Sequence, residues 1–194
     1  MKLYCATTNP GKLREFQLAA SKAIEIEPLP GLELMSPCEE TGATFEENAI
    51  QKALHYSASY NGYLFAEDSG LEVQALGGAP GVYSARFAGP WATDDQNNRL
   101  LLDSLAHTDN RNARYVCVIA LTHTSKLLRT FRGEVQGSIL KSARGSAGFG
   151  YDPLFYFAPL DCTFAELSQE RKQTVSHRGQ ALNAMLAYLR EALL

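Results

Sequence analysis

Residues Ala66 to Arg86 read AEDSGLEVQALGGAPGVYSAR, and the fold turns on this stretch. An apolar run, Tyr63-Leu64-Phe65-Ala66, leads into two acids, Glu67 and Asp68, then Ser69 and Gly70. Alternating Leu71, Val73 and Ala75 follow, and the run stops at Gly77-Gly78-Ala79-Pro80-Gly81. This pattern predicts two strand segments around an acidic turn between Tyr63 and Ala75. Two carboxylates at a strand end beside a Gly turn suit a hard cation such as Mg²⁺, which takes oxygen ligands. The small residues from Gly77 to Gly81 let backbone approach a ligand where a Cβ would collide. An acidic turn beside a flexible loop is the competing reading of the same residues. Tyr83 and Arg86 leave the loop with a ring and a cation.

Upstream, Leu3 to Thr7 reads as a short buried strand. Thr8-Asn9-Pro10-Gly11-Lys12 follows, then a helical pattern with Leu13, Phe16 and Ala20 on one face. Asn9 is a good N-cap and Pro10 suits the first helical position. A strand that turns into a helix start presents free N–H groups and the positive dipole end, an anion site, and Lys12 adds a charge beside it. A capped helix with an exposed lysine explains the same residues, and no Walker P-loop is present. Ile24 to Glu27 alternates as a half-buried strand, and Leu29 to Pro37 is a Pro-rich connection. Thr44 and Glu47 form a capping box opening a helix whose buried stripe is Ala49, Ile50, Ala53 and Leu54. Asn48 and Lys52, four apart, share a separate polar face. The acids before this helix and Lys52 inside it could hold a metal and a phosphate together. A solvated acidic helix start explains Glu46 and Glu47, but not Glu39 and Glu40 as well.

Downstream, Thr93 and Gln96 make a second capping box, starting a helix with Leu100, Leu101 and Leu105 inward and no evident chemistry. Tyr115–Leu121 and Leu127–Val135 predict a hairpin around Thr122-His123-Thr124-Ser125. His123 falls at the exposed turn, and His55 and His107 lack convergent partners. Gly145 to Pro153 is a second small-residue loop. It can lay Phe149 against a flat ligand with Asp152 at its edge, or form an aromatic-plugged turn between strands. Pro153 to Phe157 returns to the sheet. Thr163 and Glu166 form a third capping box opening a polar helical segment through Glu170, Arg171 and Lys172. Ser176 caps a final helix with Ala181, Leu182, Met185, Leu186 and Leu189 as its core face. His177 and Arg178 then lie in the first turn, where cations oppose the dipole at a cost of a few tenths of a kcal/mol. Such a broken local rule hints at function, and an anion across that helix end would relieve it.

The chain has 194 residues, 45% of them hydrophobic and 20% charged, enough for one domain with a real core or two small lobes, with no separable linker. Net charge is −3 with no basic run, which argues against a broad nucleic-acid surface. The four cysteines, Cys5, Cys38, Cys117 and Cys162, suit neither a zinc knuckle nor a disulfide framework, and read as reduced, mostly buried thiols of a cytoplasmic protein. No signal-peptide pattern opens the chain, and no apolar run reaches the roughly 18–20 residues that span a membrane.

Six stretches together resemble the inosine/xanthosine triphosphatase family of house-cleaning nucleoside triphosphate pyrophosphatases. They are TTNPGKL from Thr7, EETGATFEENA from Glu39, AEDSGL from Ala66, ALGGAPGVYSAR from Ala75, GFGYDP from Gly148 and SHRGQAL from Ser176. They stand in family order, and the resemblance covers nearly the whole chain. The resemblance implies an α/β fold, with an elongated mixed central β-sheet flanked by helices and two lobes with an active-site cleft between them. It implies Mg²⁺-dependent hydrolysis of ITP, dITP or XTP to the monophosphate and pyrophosphate by a homodimer. Carried over by motif, Thr7, Thr8, Asn9, Pro10, Gly11 and Lys12 hold the triphosphate. Asp68 is metal ligand and proton acceptor, Glu40 a second metal ligand, Lys52 a phosphate contact and Ser69 a substrate contact. Phe149, Gly150, Tyr151, Asp152, Lys172, His177 and Arg178 enclose base and sugar. Many bacterial members have two Asp where this chain has Glu67-Asp68, which leaves the role of Glu67 open. Two alternatives remain: a related septum-inhibitor-type pyrophosphatase acting on pyrimidines, against which the Ser176-His177-Arg178 motif argues, and a nucleotide sensor without turnover.

Overall fold

A computed structural model describes residues 1–19 and 23–192. Its frame is a mixed seven-stranded sheet in the order β2-β1-β3-β4-β5-β6-β7. The strands are β1 (Lys2–Cys5), β2 (Glu25–Pro28), β3 (Tyr63–Val73), β4 (Asn112–His123), β5 (Lys126–Ile139), β6 (Phe155–Phe157) and β7 (Cys162–Thr163). β1 runs parallel to both β2 and β3, and every pairing from β3 onward is antiparallel. The helices are α1 (Pro10–Leu18), α2 (Phe45–Ser57), α3 (Asp94–Ser104), α4 (Gln169–Val175) and α5 (His177–Ala192).

The acidic stretch departs from its expected form. Tyr63 to Val73 is one uninterrupted strand, so Glu67 and Asp68 lie mid-strand and not at a turn. Gly70 serves a different purpose from turning the chain. A Cβ there would stand 2.3 Å from Ser84 Oγ and 2.6 Å from the Gly81 carbonyl, so only glycine lets the short helical segment Gly81–Arg86 pack on the strand. Ser84 Oγ accepts the Leu71 N–H at 2.8 Å, closing the strand edge at that point.

Period-2 alternation divides β3 between two cores. Phe65 joins Phe16 of α1 and Leu182, Met185 and Leu186 of α5 on one face. Leu64 and Ala66 join Phe45, Ala49 and Ala53 of α2 on the other. Farther along the first face, Leu71 and Val73 pack with Leu101, Tyr115, Phe155 and Phe164. α5 rides close on β5: a Cβ at Gly133 would lie 2.1 Å from the His177 carbonyl.

Several local expectations hold. Asn9 caps α1, with Pro10 in its first turn. Both capping boxes, Thr44/Glu47 and Thr93/Gln96, are formed. The hairpin turns at Thr124 and Ser125, both at positive φ. Others shift. The α2 stripe is Phe45, Asn48, Ala49, Ala53 and Ser57, while Leu54 is exposed and Ile50 only half-buried. The third capping box closes a single 3₁₀ turn, Phe164–Glu166; the chain breaks at Leu167, and Ser168 caps α4 separately. Leu100 is half-buried, with Leu101 and Leu105 inward as expected. Ala20 lies outside the described residues. All four cysteines are free, Cys5 and Cys117 buried, Cys38 and Cys162 partly so. No helix among the described residues is long and apolar enough to cross a membrane.

Candidate active site

β1 leads through α1 to β2 on one side and, through α2, on to β3 on its other side. Its carboxyl end is therefore a point where strand order switches, the usual place for a ligand crevice in an open α/β sheet. β1 pairs with β3 only at Tyr4–Leu64 and Cys5–Phe65. Beyond that the chain turns away through Thr7–Asn9 into α1, which leaves the β3 edge from Glu67 to Gly70 without a strand partner on that side among the described residues.

Successive residues of this edge serve opposite faces. Glu67 points to the α1/α5 face, where it forms an ion pair with Lys12 and accepts a contact from Cys117 Sγ at 3.7 Å. Burial works to protonate Glu67, but the Lys12 ammonium, then Arg178 and Lys52, outweigh it and hold its carboxyl far below the ordinary range. Asp68 points to the α2 face. Its Oδ1 accepts from Lys52 Nζ at 3.0 Å and its Oδ2 from Asn48 Nδ2 at 3.2 Å. Burial raises the Asp68 carboxyl above its usual value; Lys52 opposes the rise and Glu67 adds to it. Glu40 Oε1 lies 3.3 Å from the same Lys52 Nζ. Burial disfavours that ammonium, yet Asp68, Glu67 and Glu40 together keep it charged and raise its pKa. The structure thus separates Glu67, which holds Lys12, from Asp68 and Glu40, which converge on one positive centre.

That convergence is the fit a hard cation needs. Mg²⁺ is held by one or two carboxylates, with water and phosphate oxygens completing its shell. Asp68 and Glu40 supply two carboxylates, and no group of three or more acids, His or Cys forms a closed cage among the described residues.

The loop before α1 offers less than its sequence suggests. Asn9 Oδ1 already accepts from the amides of Gly11 at 2.8 Å and Lys12 at 3.1 Å, and Pro10 has no N–H. Thr7 Oγ1 takes the Asn9 amide, and Thr8 is exposed. What this helix start presents is the Lys12 ammonium, the dipole and the exposed Thr8, with the first α1 amides already bonded to Asn9.

A cavity of about 110 Å³ opens on the α1/α5 face. Asn9, Lys12, Ser69, Phe149, Gly150, Tyr151, Asp152, Lys172, His177 and Arg178 line it, with Leu71, Ser84, Ala85 and Tyr115. Beneath it runs a buried charge network. Lys172 Nζ donates to Glu15 Oε1 at 2.7 Å and to Asp152 Oδ2 at 2.5 Å. Arg178 pairs with Glu15 through Nη1 and donates from Nη2 to Ser69 Oγ at 3.0 Å. Burial opposes charge on Glu15, but Arg178 and Lys172 more than offset it and depress its pKa. Burial likewise opposes charge on Arg178, and Glu15 and Glu67 raise its pKa above the already high usual value. The dipole conflict expected at the start of α5 is resolved: Glu15 is the anion that meets Arg178.

His177 is not a second cation there. Burial first, then the Arg178 and Lys172 charges, drive its pKa well below the usual value, so the ring is neutral at pH 7. It stacks on Tyr115 with centroids 4.6 Å apart. Nδ1 of His177 and Nε of Arg178 have no hydrogen-bond partner, and both residues line the cavity. Asp152 is also not free at a ligand edge. It is buried, holds Lys172 and accepts the Phe149 amide at 3.0 Å, and burial pushes its carboxyl up against the pull of Lys172. The Phe149 ring covers Lys172 at 4.9 Å and Arg178 at 5.4 Å, and Gly11 leaves it room, since a Cβ there would stand 2.9 Å away. Tyr151 turns its hydroxyl inward to the Ser84 carbonyl at 2.8 Å.

Three residues that sequence reasoning passed over belong to this site: Glu15, Asp94 and Asn97. Glu15 looks like a solvated helix residue until α4 and α5 cover it. The T-x-x-Q box located the start of α3 but carried no sign that Asp94 and Asn97 face a cavity.

Fold and site define a mixed α/β protein with an open strand edge at a strand-order switch, where lysines and carboxylates stand beside a cavity lined by aromatic rings and buried charges. The sequence matches the Ham1 family profile over residues 3–188. The chain belongs to the Ham1 family. A dITP/XTP pyrophosphatase of Exiguobacterium sp. is 49% identical over 188 residues, 96% of each chain. One of Photorhabdus laumondii is 47% identical over 98% of this chain and 99% of its own. Among solved structures, the Ham1 protein of Staphylococcus aureus superposes with a TM-score of 0.88 at 40% identity, over 99% of this chain and 100% of that one. A HAM1 protein from Coxiella burnetii gives 0.88 at 40% identity, over 98% and 99%.

Proposed function

We propose that the chain hydrolyses non-standard purine nucleoside triphosphates (ITP, dITP and XTP) to the monophosphate and pyrophosphate, clearing deaminated purines from the nucleotide pool. The observation that carries this reading is the cavity. The Phe149 ring on its wall suits a purine, and the two unpartnered nitrogens of His177 and Arg178 belong to residues that line it. Hypoxanthine and xanthine carry a 6-oxo acceptor, to which Arg178 and Lys172 can donate. Adenine would set its 6-amino donor against these cations and leave them unpaired, and discrimination of this kind reaches roughly 10⁴–10⁵-fold. Stacking on Phe149 adds affinity without choosing between bases.

The triphosphate would run from the cavity toward Lys12 and Lys52, whose ammonium groups meet its negative charge. Asp68 and Glu40 would hold Mg²⁺; when bound, the ion supplies charge neutralisation and orientation for the phosphoryl oxygens. Asp68 orients a water and accepts its proton as oxygen bonds to phosphorus, and the phosphoanhydride bond breaks to release pyrophosphate. Its burial-raised pKa makes it a better proton acceptor than a solvated aspartate. Ser69, held by Arg178 at 3.0 Å, lies between the acids and the base cavity and is placed to touch the substrate.

The enzyme is proposed to act as a cytoplasmic homodimer. Free thiols support a reducing compartment, and exposed Trp91, Tyr83 and Leu34 are apolar surface that a second copy would cover. Light scattering on purified protein tests the dimer. The decisive test of function is pyrophosphate release across a panel of triphosphates, with and without Mg²⁺. Release from ITP, dITP or XTP far above ATP and GTP, and only with the metal, is the expected result. Equal turnover of all purines, or turnover of pyrimidines alone, would refute the reading.

A further inference from the structure

The Thr93 capping box fixes where α3 begins, but nothing in the proposed chemistry uses that helix. Its first two turns nevertheless grip the loop that carries Phe149. Gly150 N–H donates to Asp94 Oδ2 at 2.6 Å, and Asn98 Nδ2 donates to the Gly150 carbonyl at 3.0 Å. Both backbone groups of one residue are thus held by side chains one helical turn apart, on one face of α3.

Gly150 is next to Phe149 and sits at φ +63, in the left-handed region. Gly148, on the other side of Phe149, is at φ +77, and a Cβ there would stand 2.1 Å from Asp152 Oδ2. Phe149 therefore lies between two glycines that do not by themselves restrain the backbone. The restraint comes from outside: Asp152 takes the Phe149 amide on one side, and α3 takes Gly150 on the other. The same helix also fixes the neighbouring wall. Asn97 Oδ1 accepts the Ala88 N–H at 2.8 Å, and its Nδ2 donates to the Ala85 carbonyl at 3.2 Å.

We propose that Asp94 and Asn98 are positioning residues that clamp Gly150 and so hold the Phe149 ring at the stacking distance a purine needs. This inference deepens the proposed function and rests on it. Neither residue takes part in proton or phosphoryl transfer. Their contribution is to binding: a loosened loop loses stacking against the base, while Asp68, Lys12 and Lys52 stay in place.

The test is a set of variants assayed on ITP, with amide hydrogen exchange of the 145–152 segment measured on the same proteins. Asp94→Ala removes the acceptor, whereas Asp94→Asn keeps an oxygen that can accept from Gly150. The expected result for Asp94→Ala is a rise in KM of about tenfold, at the lower end of what one base–aromatic stack supplies, with kcat within about twofold of the parent. Asp94→Asn should restore KM to near the parent value. Exchange at Gly150 should accelerate in Asp94→Ala and not in Asp94→Asn. In a Phe149→Ala background the Asp94→Ala penalty should vanish, because the two act through one contact. Asn98→Ala is the second probe should Asp94→Ala fold poorly, and should give the same KM rise. A parent-like KM in both alanine variants overturns the clamp, as does a penalty that adds fully to that of Phe149→Ala. If the parent protein itself releases no pyrophosphate from any deaminated purine triphosphate, the proposed function fails, and the exchange data still decide whether α3 restrains the loop.

Discussion

Glu15 is the residue whose replacement most directly tests the electrostatic account of the site. It is buried, and its two oxygens face Lys172 and Arg178, both also buried. With Asp152 it makes two acids against two cations in one desolvated network. Glu15→Gln keeps the shape but, among the described residues, leaves Lys172 with Asp152 as its one ion pair and Arg178 with no directly paired carboxylate, and turns amide hydrogens toward one of them. Breaking a buried pair in this way costs about 3–5 kcal/mol. At about 2–4 °C per kcal/mol for a chain of this size, Tm should fall by about 6–20 °C. Calorimetry at pH 7 reads this directly. The pH dependence adds a second signature. The Glu15 pKa is depressed in the folded state, so its stabilisation is present above the unfolded value of 4.5 and is lost as pH falls through the folded value. The gap between parent and variant should therefore be full at pH 7 and narrow in acid. A Tm loss below about 2 °C at pH 7 in a well-folded variant, which is under 1 kcal/mol on the same scale, would refute the claim that this network is strongly coupled.

The remaining expectations concern chemistry, titration and packing. Asp68→Asn should abolish pyrophosphate release while leaving the fold and some nucleotide binding intact; turnover near the parent rate would show that the proton acceptor lies elsewhere. The His177 pKa is depressed, so its stabilisation is present above the unfolded 6.5 and lost as pH falls, with a slope of up to about 1.4 kcal/mol per pH unit. Denaturant melts of parent and His177→Gln between pH 7 and pH 5 should differ by that slope, and parallel curves would mean the ring titrates normally. His177→Ala should also lower the ratio of kcat/KM for ITP over ATP, and an unchanged ratio counts against its place at the base. Gly133→Ala forces a methyl group into backbone of α5 and should cost at least about 1–3 kcal/mol, with a weaker hold on ITP because the helix carrying His177 and Arg178 must shift. A chemical melt matching the parent would mean the helix yields freely.

What the sequence made legible was local. The Asn9, Thr44, Thr93 and Ser176 caps, and the hairpin at Thr124-Ser125, depend on residues a few positions apart, and all form as read. What it hid depends on contacts between distant segments. Gly70 reads as a turn, yet its small size is required by Ser84, which arrives from another segment. Glu15 drew no reading because its partners, Lys172 and Arg178, are 157 and 163 positions away. His177 reads as a cation because burial is invisible in a string of letters. Asp94 gave no signal because its partner is the backbone of Gly150, which carries no side-chain chemistry to notice.

The division of Glu67 and Asp68 between two sides of one strand sets a parity rule on this part of the chain. Gaining or losing a single residue between Phe65 and Glu67 would turn every later position to the other side at one stroke, swinging Glu67 away from Lys12 and Asp68 away from Asn48 and Lys52. A two-residue change would keep the sides but slide both acids about 6.8 Å along the strand, past their lysines. The count of residues through β3 is therefore fixed to the unit.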